Sequence, residues 1–104
     1  MKVQNIDIPL EKVKIFCDLW KVRQFALFGS VLRDDFQPTS DIDVMVQFEP
    51  DAFVTFVNLE DMEAKLVTIF DRKIDLVTRD GIKNSRNYLR REEILNSAKV
   101  VYEL

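Results

Sequence analysis

The sequence predicts an α/β (α+β) fold in which a small mixed β-sheet is flanked by helices. The clearest strand is Ile42–Phe48, where apolar side chains occupy every second position. Two further apolar runs, 25–28 and 73–78, predict two more strands, and between the strands apolar residues recur at helical spacing. The length of 104 residues and the 47% hydrophobic content allow one core, so one domain covering residues 1–104 is expected.

The order of elements is predicted as α-β-α-β-α-β-α. The predicted helices are about 9–22, 30–35, 53 or 59 to 70, and 84 or 85 to 102. Ser30 is expected to cap the second helix. The last helix is expected to turn an apolar stripe inward, formed by Leu89, Ile94 or Leu95, Ala98 and Val101.

Composition narrows the possible chemistry. Cys17 is the single cysteine and there is no histidine, which rules out an internal disulfide, histidine-ligated metals and histidine-based nucleophilic catalysis. Carboxylates, hydroxyls, Lys, Arg and the backbone remain, and hard oxygen ligands favour magnesium. No apolar run reaches the ~20 residues of a membrane span, and no signal peptide is recognisable at the N-terminus, so a cytoplasmic protein is expected.

Charge is segregated along the chain, although the formal net charge is only -3. Residues 34–63 hold nine Asp or Glu and no Lys or Arg, whereas residues 72–91 hold seven Lys or Arg and two Asp. These segments could be solvated faces that attract each other. Alternatively, they are an acidic metal pocket beside a basic surface that meets an anionic ligand or a partner.

Asp41 and Asp43 are the first candidate metal ligands. Residues two apart on a strand share a face, so both carboxylates point away from the face that carries Ile42 and Val44. An Asp-x-Asp pair alone is expected about once by chance in a chain with eleven Asp. Its position at the start of a strand, after a Gly-Ser turn, adds to the signal.

Gly29 and Ser30 form that turn, at the end of the strand 25–28. A glycine there would let a phosphate approach the backbone, and Ser30 would offer a hydroxyl beside free amides. The alternative is a tight turn with an ordinary helix cap.

Asp75 is the third candidate, since it lies between Ile74 and Leu76 in an apolar strand. A charged residue in such a strand is rarely buried unless it is paired or bound to a metal. The alternatives are an edge strand that faces water, or a salt bridge to Arg72 or Lys73.

The directions of the strands give a test of this site. Gly29 ends its strand, whereas Asp41 and Asp75 lie at the starts of theirs. If the residues meet, the first two strands run antiparallel, and the second and third run parallel with a crossover helix between them.

The segments "GSVLRDDFQPTSDIDVMV" and "KIDLVT" resemble the G-S-x-x-R, S-D-x-D and h-D-h signature of nucleotidyltransferases of the DNA polymerase β type. More narrowly, the whole chain resembles the minimal nucleotidyltransferases (MNT proteins), which implies a nucleotidyltransferase fold. Many members carry Ala-Arg-Gly where this chain has Leu32-Arg33-Asp34, so the turn after Arg33 is expected to differ.

The resemblance implies catalytic and metal-binding roles for Asp41, Asp43 and Asp75. Asp41 and Asp43 would hold two Mg²⁺ ions, and Asp75 would join them on the catalytic ion. Gly29 and Ser30 would contact the triphosphate of ATP. Arg33 would neutralise phosphate charge or brace the site; its alternative is a salt bridge with Asp34, Asp35 or another acid.

The resemblance also implies a partner. Many MNT proteins are antitoxins that transfer AMP from ATP to a tyrosine of a HEPN-type toxin and bind it stably. The basic stretch Arg79–Arg91 and the C-terminal helix are candidate surfaces for that partner, or an ordinary solvated face. No membrane contact and no direct nucleic-acid binding are expected. The alternatives are an antitoxin that acts by binding alone, and transfer to a small molecule or an RNA end.

Overall fold

The computed structural model describes residues 2, 3 and 5–104 of the chain. The strands are β1 (Lys2–Val3), β2 (Ile6–Asp7), β3 (Val22–Phe28), β4 (Ile42–Phe48), β5 (Ile74–Thr78) and β6 (Lys99–Glu103). The helices are α1 (Leu10–Trp20), α2 (Phe56–Phe70), α3 (Arg79–Lys83) and α4 (Tyr88–Ser97), with a 3₁₀ turn at Gly29–Leu32. Within these described residues, no helix has the length and apolarity needed to cross a membrane.

The main sheet has four strands in the order β5-β4-β3-β6, and β1 and β2 form a separate two-stranded sheet. β3 pairs antiparallel with β4, and β4 pairs parallel with β5. These are the directions expected if Gly29, Asp41 and Asp75 meet, and α2 is the crossover helix between the parallel strands. The predicted mixed sheet flanked by helices is therefore confirmed.

Helices cover both faces of the sheet. On one face, Ile42, Val44 and Val46 pack in a cluster with buried side chains of α1 and α2, which include Val13, Phe16, Met62 and Leu66. On the other face, a smaller cluster joins the sheet to α3 and α4 through Ala26, Phe28, Met45, Ile82 and Ile94. Because Met45 belongs to the smaller cluster, the odd positions of β4 and the even positions face opposite sides of the sheet, as predicted.

Helix boundaries differ from the prediction by a few residues, because backbone caps set them. α1 ends at Trp20, since Lys21 adopts a left-handed conformation with φ of 55°. α2 begins at Phe56, where Thr55 and Asn58 form a reciprocal capping box. The ambiguous segment around residue 53 therefore stays outside the helix.

The predicted C-terminal helix up to residue 102 is wrong. α4 ends at Ser97, and Lys99–Glu103 form β6, which pairs antiparallel with β3. Without this pairing, β3 would be an exposed edge strand. The predicted inward position of Leu89 is also wrong, since 78% of its surface is exposed.

The strand assignment of the C-terminus makes a direct prediction. Val101 lies in the main core, whereas its neighbour Val100 is 41% exposed. Val101→Asp is expected to lower the free energy of unfolding by roughly 3 kcal/mol, because it buries a carboxylate. Val100→Asp should cost less than about 1 kcal/mol. Urea unfolding of both variants measures the difference, and equal losses would contradict the assignment.

Candidate metal and nucleotide site

Three aspartates lie at the same end of the sheet. Asp43 on β4 is directly opposite Asp75 on the parallel strand β5, and it is opposite Phe28, the last residue of β3. Asp41 precedes β4 by one position. Because β4 and β5 alternate their side chains, Asp41, Asp43 and Asp75 share the face that lies toward α3 and α4.

Asp43 is the electrostatic centre of this group. Burial, together with the negative charges of Asp75 and Asp41, raises the pKa of the Asp43 carboxyl. The positive charges of Arg33 and Arg90 act in the opposite direction. Burial and the neighbouring carboxylates therefore disfavour the charged form of Asp43, and a bound cation would favour it.

The donor set fits a magnesium ion by residue type, face and strand register. Oxygen atoms of three carboxylates are the ligands that this hard cation prefers. As they stand, no three carboxylate or thiol side chains among the described residues are gathered closely enough to enclose a metal ion. Like charges on three flexible side chains repel one another, so a cation would be needed to draw them together. Cys17 is not a competing ligand, because burial raises the pKa of its buried thiol to about 12.

Gly29 lies against Asp43. It has a φ of +75°, a conformation that glycine adopts without strain. A Cβ at this position would lie 3.1 Å from the Asp43 Cγ and would overlap the carboxylate oxygen Oδ2. The absence of a side chain at Gly29 therefore leaves room for the Asp43 carboxylate as well as giving the turn its shape.

The segment after Gly29 is a single 3₁₀ turn, shorter than the predicted helix 30–35. The predicted cap at Ser30 is wrong, because Phe28 precedes the turn and no side chain caps it. Ser30 instead accepts a hydrogen bond from the Arg33 N–H through its backbone carbonyl, at 2.9 Å. Ser30 is half-buried beside Gly29.

Arg33 lies just after this turn, in extended backbone, rather than one turn into a helix. Its Nε contacts the Asp35 Oδ1 at 3.3 Å, so the alternative ion pair with a neighbouring acid is formed. Both side chains are more than half exposed, and such a pair contributes little to stability. Arg33 still influences the site, since its positive charge partly offsets the rise in the pKa of Asp43.

The alternatives for Asp75 are settled in part. β5 is an edge strand and Asp75 is exposed, as one alternative expected. No salt bridge joins Asp75 to Arg72 or Lys73 among the described residues; Lys73 instead approaches Asp41, with 4.0 Å between Nζ and Oδ2. Asp75 differs from an ordinary carboxylate on an edge strand because it lies directly opposite Asp43.

A cleft of about 420 Å³ opens beside Gly29 and Arg33. Its far wall comes from α4 and from the start of β6 and includes Glu93, Ser97 and Lys99. Prediction from the sequence missed these residues and Arg90, because a continuous C-terminal helix gave no reason to place them near Gly29. The basic character of 72–91 was the only available signal for Arg90.

A family model described as a nucleotidyltransferase domain matches residues 11–101, which include the three aspartates and the Gly29 turn. The chain belongs to the nucleotidyltransferase domain family. A relative from Methanocaldococcus jannaschii, provisionally named a protein adenylyltransferase, is 38% identical over 71 residues, which are 68% of this chain and 71% of the relative.

Solved structures share the nucleotidyltransferase fold. A chain in the crystal structure of a toxin–antitoxin with AMP-PNP superposes with a TM-score of 0.70 at 19% identity, covering 93% of this chain and 75% of that chain. A chain in the structure of a tri-AMPylated Shewanella oneidensis HEPN toxin with its MNT antitoxin gives 0.61 at 20% identity, covering 91% and 70%. At these identities the likeness shows the fold alone.

Proposed function

We propose that this single domain is an antitoxin that transfers AMP from ATP to a tyrosine hydroxyl of a HEPN-type toxin and so neutralises it. The observation that carries the proposal is the alignment of Asp43 with Asp75 on parallel strands, with Gly29 against the same carboxylate. The family and the names of its relatives support the type of reaction. A cytoplasmic location stays a prediction.

The three aspartates are assigned as the metal ligands. Asp41 and Asp43 would hold two magnesium ions, and Asp75 would add a third carboxylate to one of them. When bound, these ions lower the pKa of the attacking hydroxyl and stabilise the charge on the departing pyrophosphate. The raised pKa of Asp43 is consistent with this role, because a bound cation would offset the charges that raise it.

The Gly29 turn is assigned to the triphosphate. Gly29 and Ser30 lie at the end of β3 beside the Asp43 carboxylate, so a phosphate there would be within reach of the metal ligands. Arg33 lines the adjoining cleft and would add positive charge to the triphosphate. In the transfer itself, the tyrosine oxygen forms a bond to the α-phosphorus, the bond to the pyrophosphate oxygen breaks, and the hydroxyl proton leaves to solvent.

The start of α4 is the candidate contact for the acceptor. Tyr88 and Leu89 are 60% and 78% exposed there, and Arg91 stacks over the Tyr88 ring at 5.1 Å. Arg90 lies in the same turn, and its positive charge acts on Asp43 by opposing the rise in its pKa. Exposed aromatic, apolar and arginine side chains beside a catalytic group form a surface of the kind that protein partners bind.

Transfer of labelled phosphate tests the proposal. With a folded HEPN partner and magnesium, ATP labelled at the α-phosphate should label the partner, and ATP labelled at the γ-phosphate should not. Asp75→Asn is expected to abolish the label, because it removes a charged ligand from the site. Absence of α-label with the wild-type protein would refute the proposed activity.

Binding alone is the second candidate, and one surface favours it. Ile15 and Leu19 on α1 and Phe53 and Phe56 near the start of α2 are between 67% and 91% exposed. Leu19 lines two adjoining grooves on this side, so the surface is continuous from Ile15 to Phe53. It lies on the face of the sheet opposite the aspartates, and contact there would leave the site open.

The two candidates differ in what a double substitution does. A variant with Asp41→Asn and Asp43→Asn is expected to lose toxin neutralisation if transfer is required. Neutralisation that survives in this variant, and is lost in Leu19→Glu, would instead establish inhibition through the α1–α2 surface.

A further inference from the structure

Arg72 lies near the site and makes several contacts there, but the proposed chemistry gives this residue no role. Its guanidinium donates hydrogen bonds to the backbone carbonyls of Ser40 at 3.1 Å, Pro38 at 2.9 Å and Gln37 at 3.3 Å. The same guanidinium stacks over the ring of Phe36, with 4.4 Å from Cζ to the ring centroid. One half-buried side chain therefore contacts four of the five residues of the loop 36–40.

This loop delivers Asp41 to the site. The Ser40 carbonyl that Arg72 binds belongs to the peptide unit that joins Ser40 to Asp41. Arg72 itself lies three residues before Asp75, at the entry to β5. A backbone hydrogen bond joins the same two segments, since the Ile42 N–H donates to the Lys73 carbonyl at 3.0 Å.

We propose that Arg72 is a positioning residue that fixes the Asp41 carboxylate relative to Asp75 and so sets the affinity of the site for its divalent cation. The proposal rests on the proposed function, because it assumes that these aspartates bind the metal. Asp75 lies within the regular strand β5, whereas Asp41 lies at the end of an irregular loop. The loop is therefore the part of the site whose position needs an additional restraint.

The fork of the guanidinium matters for this role. Arginine can donate to three carbonyls while its planar face stacks on an aromatic ring, whereas a lysine ammonium keeps the charge without the planar geometry. Arg72→Lys should therefore leave the net charge unchanged and release part of the loop. Residues that orient metal ligands typically contribute about 10- to 100-fold to metal affinity.

Mn²⁺ binding to the full chain tests this role without any reference to activity. Free Mn²⁺ is measured by electron paramagnetic resonance during a titration of the wild type, Arg72→Lys, Asp43→Asn and Arg79→Lys. Arg79 is a matched control, since it lies at the other end of β5 and donates to the Gln24 Oε1 at 3.0 Å, away from the aspartates. Arg72→Lys is expected to bind Mn²⁺ roughly 10-fold more weakly than the wild type. Arg79→Lys is expected to match the wild type.

The outcomes separate this role from the metal site itself. If Asp43→Asn abolishes binding and folded Arg72→Lys binds as the wild type does, Arg72 has no positioning role, although the metal site stands. A purely structural role would lower the melting temperature of Arg72→Lys without changing the Mn²⁺ affinity of the folded protein, and this result also overturns the proposal.

Two further results are decisive. If Asp43→Asn binds Mn²⁺ as strongly as the wild type, the metal site is elsewhere and both proposals fail. If circular dichroism shows that Arg72→Lys does not fold, Phe36→Leu replaces it, because this variant removes the aromatic surface under Arg72 and keeps an apolar side chain against the main core. Phe36→Leu should weaken Mn²⁺ binding in the same direction, and unchanged affinity would refute the role.

Discussion

Asp43→Asn is expected to abolish AMP transfer and at the same time to stabilise the metal-free fold. Transfer is expected to be lost because, in the proposed metal site, the amide would supply a neutral ligand in place of a carboxylate. Stability rises because the substitution removes a half-buried negative charge that lies beside Asp75 and Asp41. A gain of about 1 kcal/mol in the free energy of unfolding is typical when a functional charge of this kind is removed.

The pH dependence of this gain gives a second measurement. The pKa of Asp43 is raised in the fold above its ordinary value of 3.8, so the folded protein binds this proton more tightly than the unfolded chain does. The stability advantage of Asp43→Asn should be complete at neutral pH. It should shrink as the pH falls through the raised pKa, and it should disappear below about 3.8, where both states are protonated.

Urea unfolding with a chelator present, from neutral to acid pH, measures the effect. Asp61→Asn is the matched control, because Asp61 is exposed on α2 and should change stability by less than about 0.5 kcal/mol. If Asp43→Asn is less stable than the wild type at neutral pH, then the carboxylate is stabilised by the fold and the description of the site is wrong.

Gly29→Ala is expected to lower both the stability of the fold and the rate of AMP transfer. The new Cβ would be strained by the φ of +75° and would overlap the Asp43 carboxylate. Strain of this kind costs of the order of 1–3 kcal/mol. The displaced carboxylate should also lose its alignment with Asp75, so AMP transfer should fall well beyond the loss of folded protein.

The other glycine provides the control. Gly81 lies in α3 without a positive φ. A Cβ there would lie 2.9 Å from the Thr78 hydroxyl, which caps α3 by accepting from the Gly81 N–H, and would meet no aspartate of the site. Gly81→Ala should therefore leave AMP transfer unchanged, and its crowding is opposed by the higher helix propensity of alanine. Comparable transfer by Gly29→Ala and the wild type, per folded molecule, would contradict the proposed role of the Asp43 carboxylate beside Gly29 in AMP transfer.

The part of the site that could be predicted from the sequence depends on local pattern. The two-residue period of β4 is sufficient to place Asp41 and Asp43 on one face, and the positions of Gly29 and Asp75 within their strands are sufficient to predict the strand directions. Both inferences depend on the local geometry of single strands, and tertiary contacts do not alter that geometry.

The errors came from contacts between distant segments. The C-terminal residues 99–103 fit a helical stripe with Ile94 and Ala98, but their pairing with β3 across about seventy-five residues of sequence decides their structure. The sequence makes Arg72 a possible salt-bridge partner for Asp75, whereas in the structure Arg72 binds carbonyls of the loop that precedes Asp41. A charge pattern identifies candidate partners for a carboxylate, but it does not reveal which backbone carbonyls lie nearby.

In the proposed function, Asp41, Asp43 and Asp75 together form one metal site beside the Gly29 turn. The most direct test is a crystal structure of the full chain grown with Mn²⁺ and a non-hydrolysable ATP analogue, with the anomalous signal of manganese used to locate the ions. We expect manganese bonded to oxygens of all three aspartates, at about the 2.0–2.6 Å of oxygen ligands to divalent cations, with the triphosphate against Gly29 and Ser30. Manganese and nucleotide bound elsewhere, with these three carboxylates uncoordinated, would contradict it.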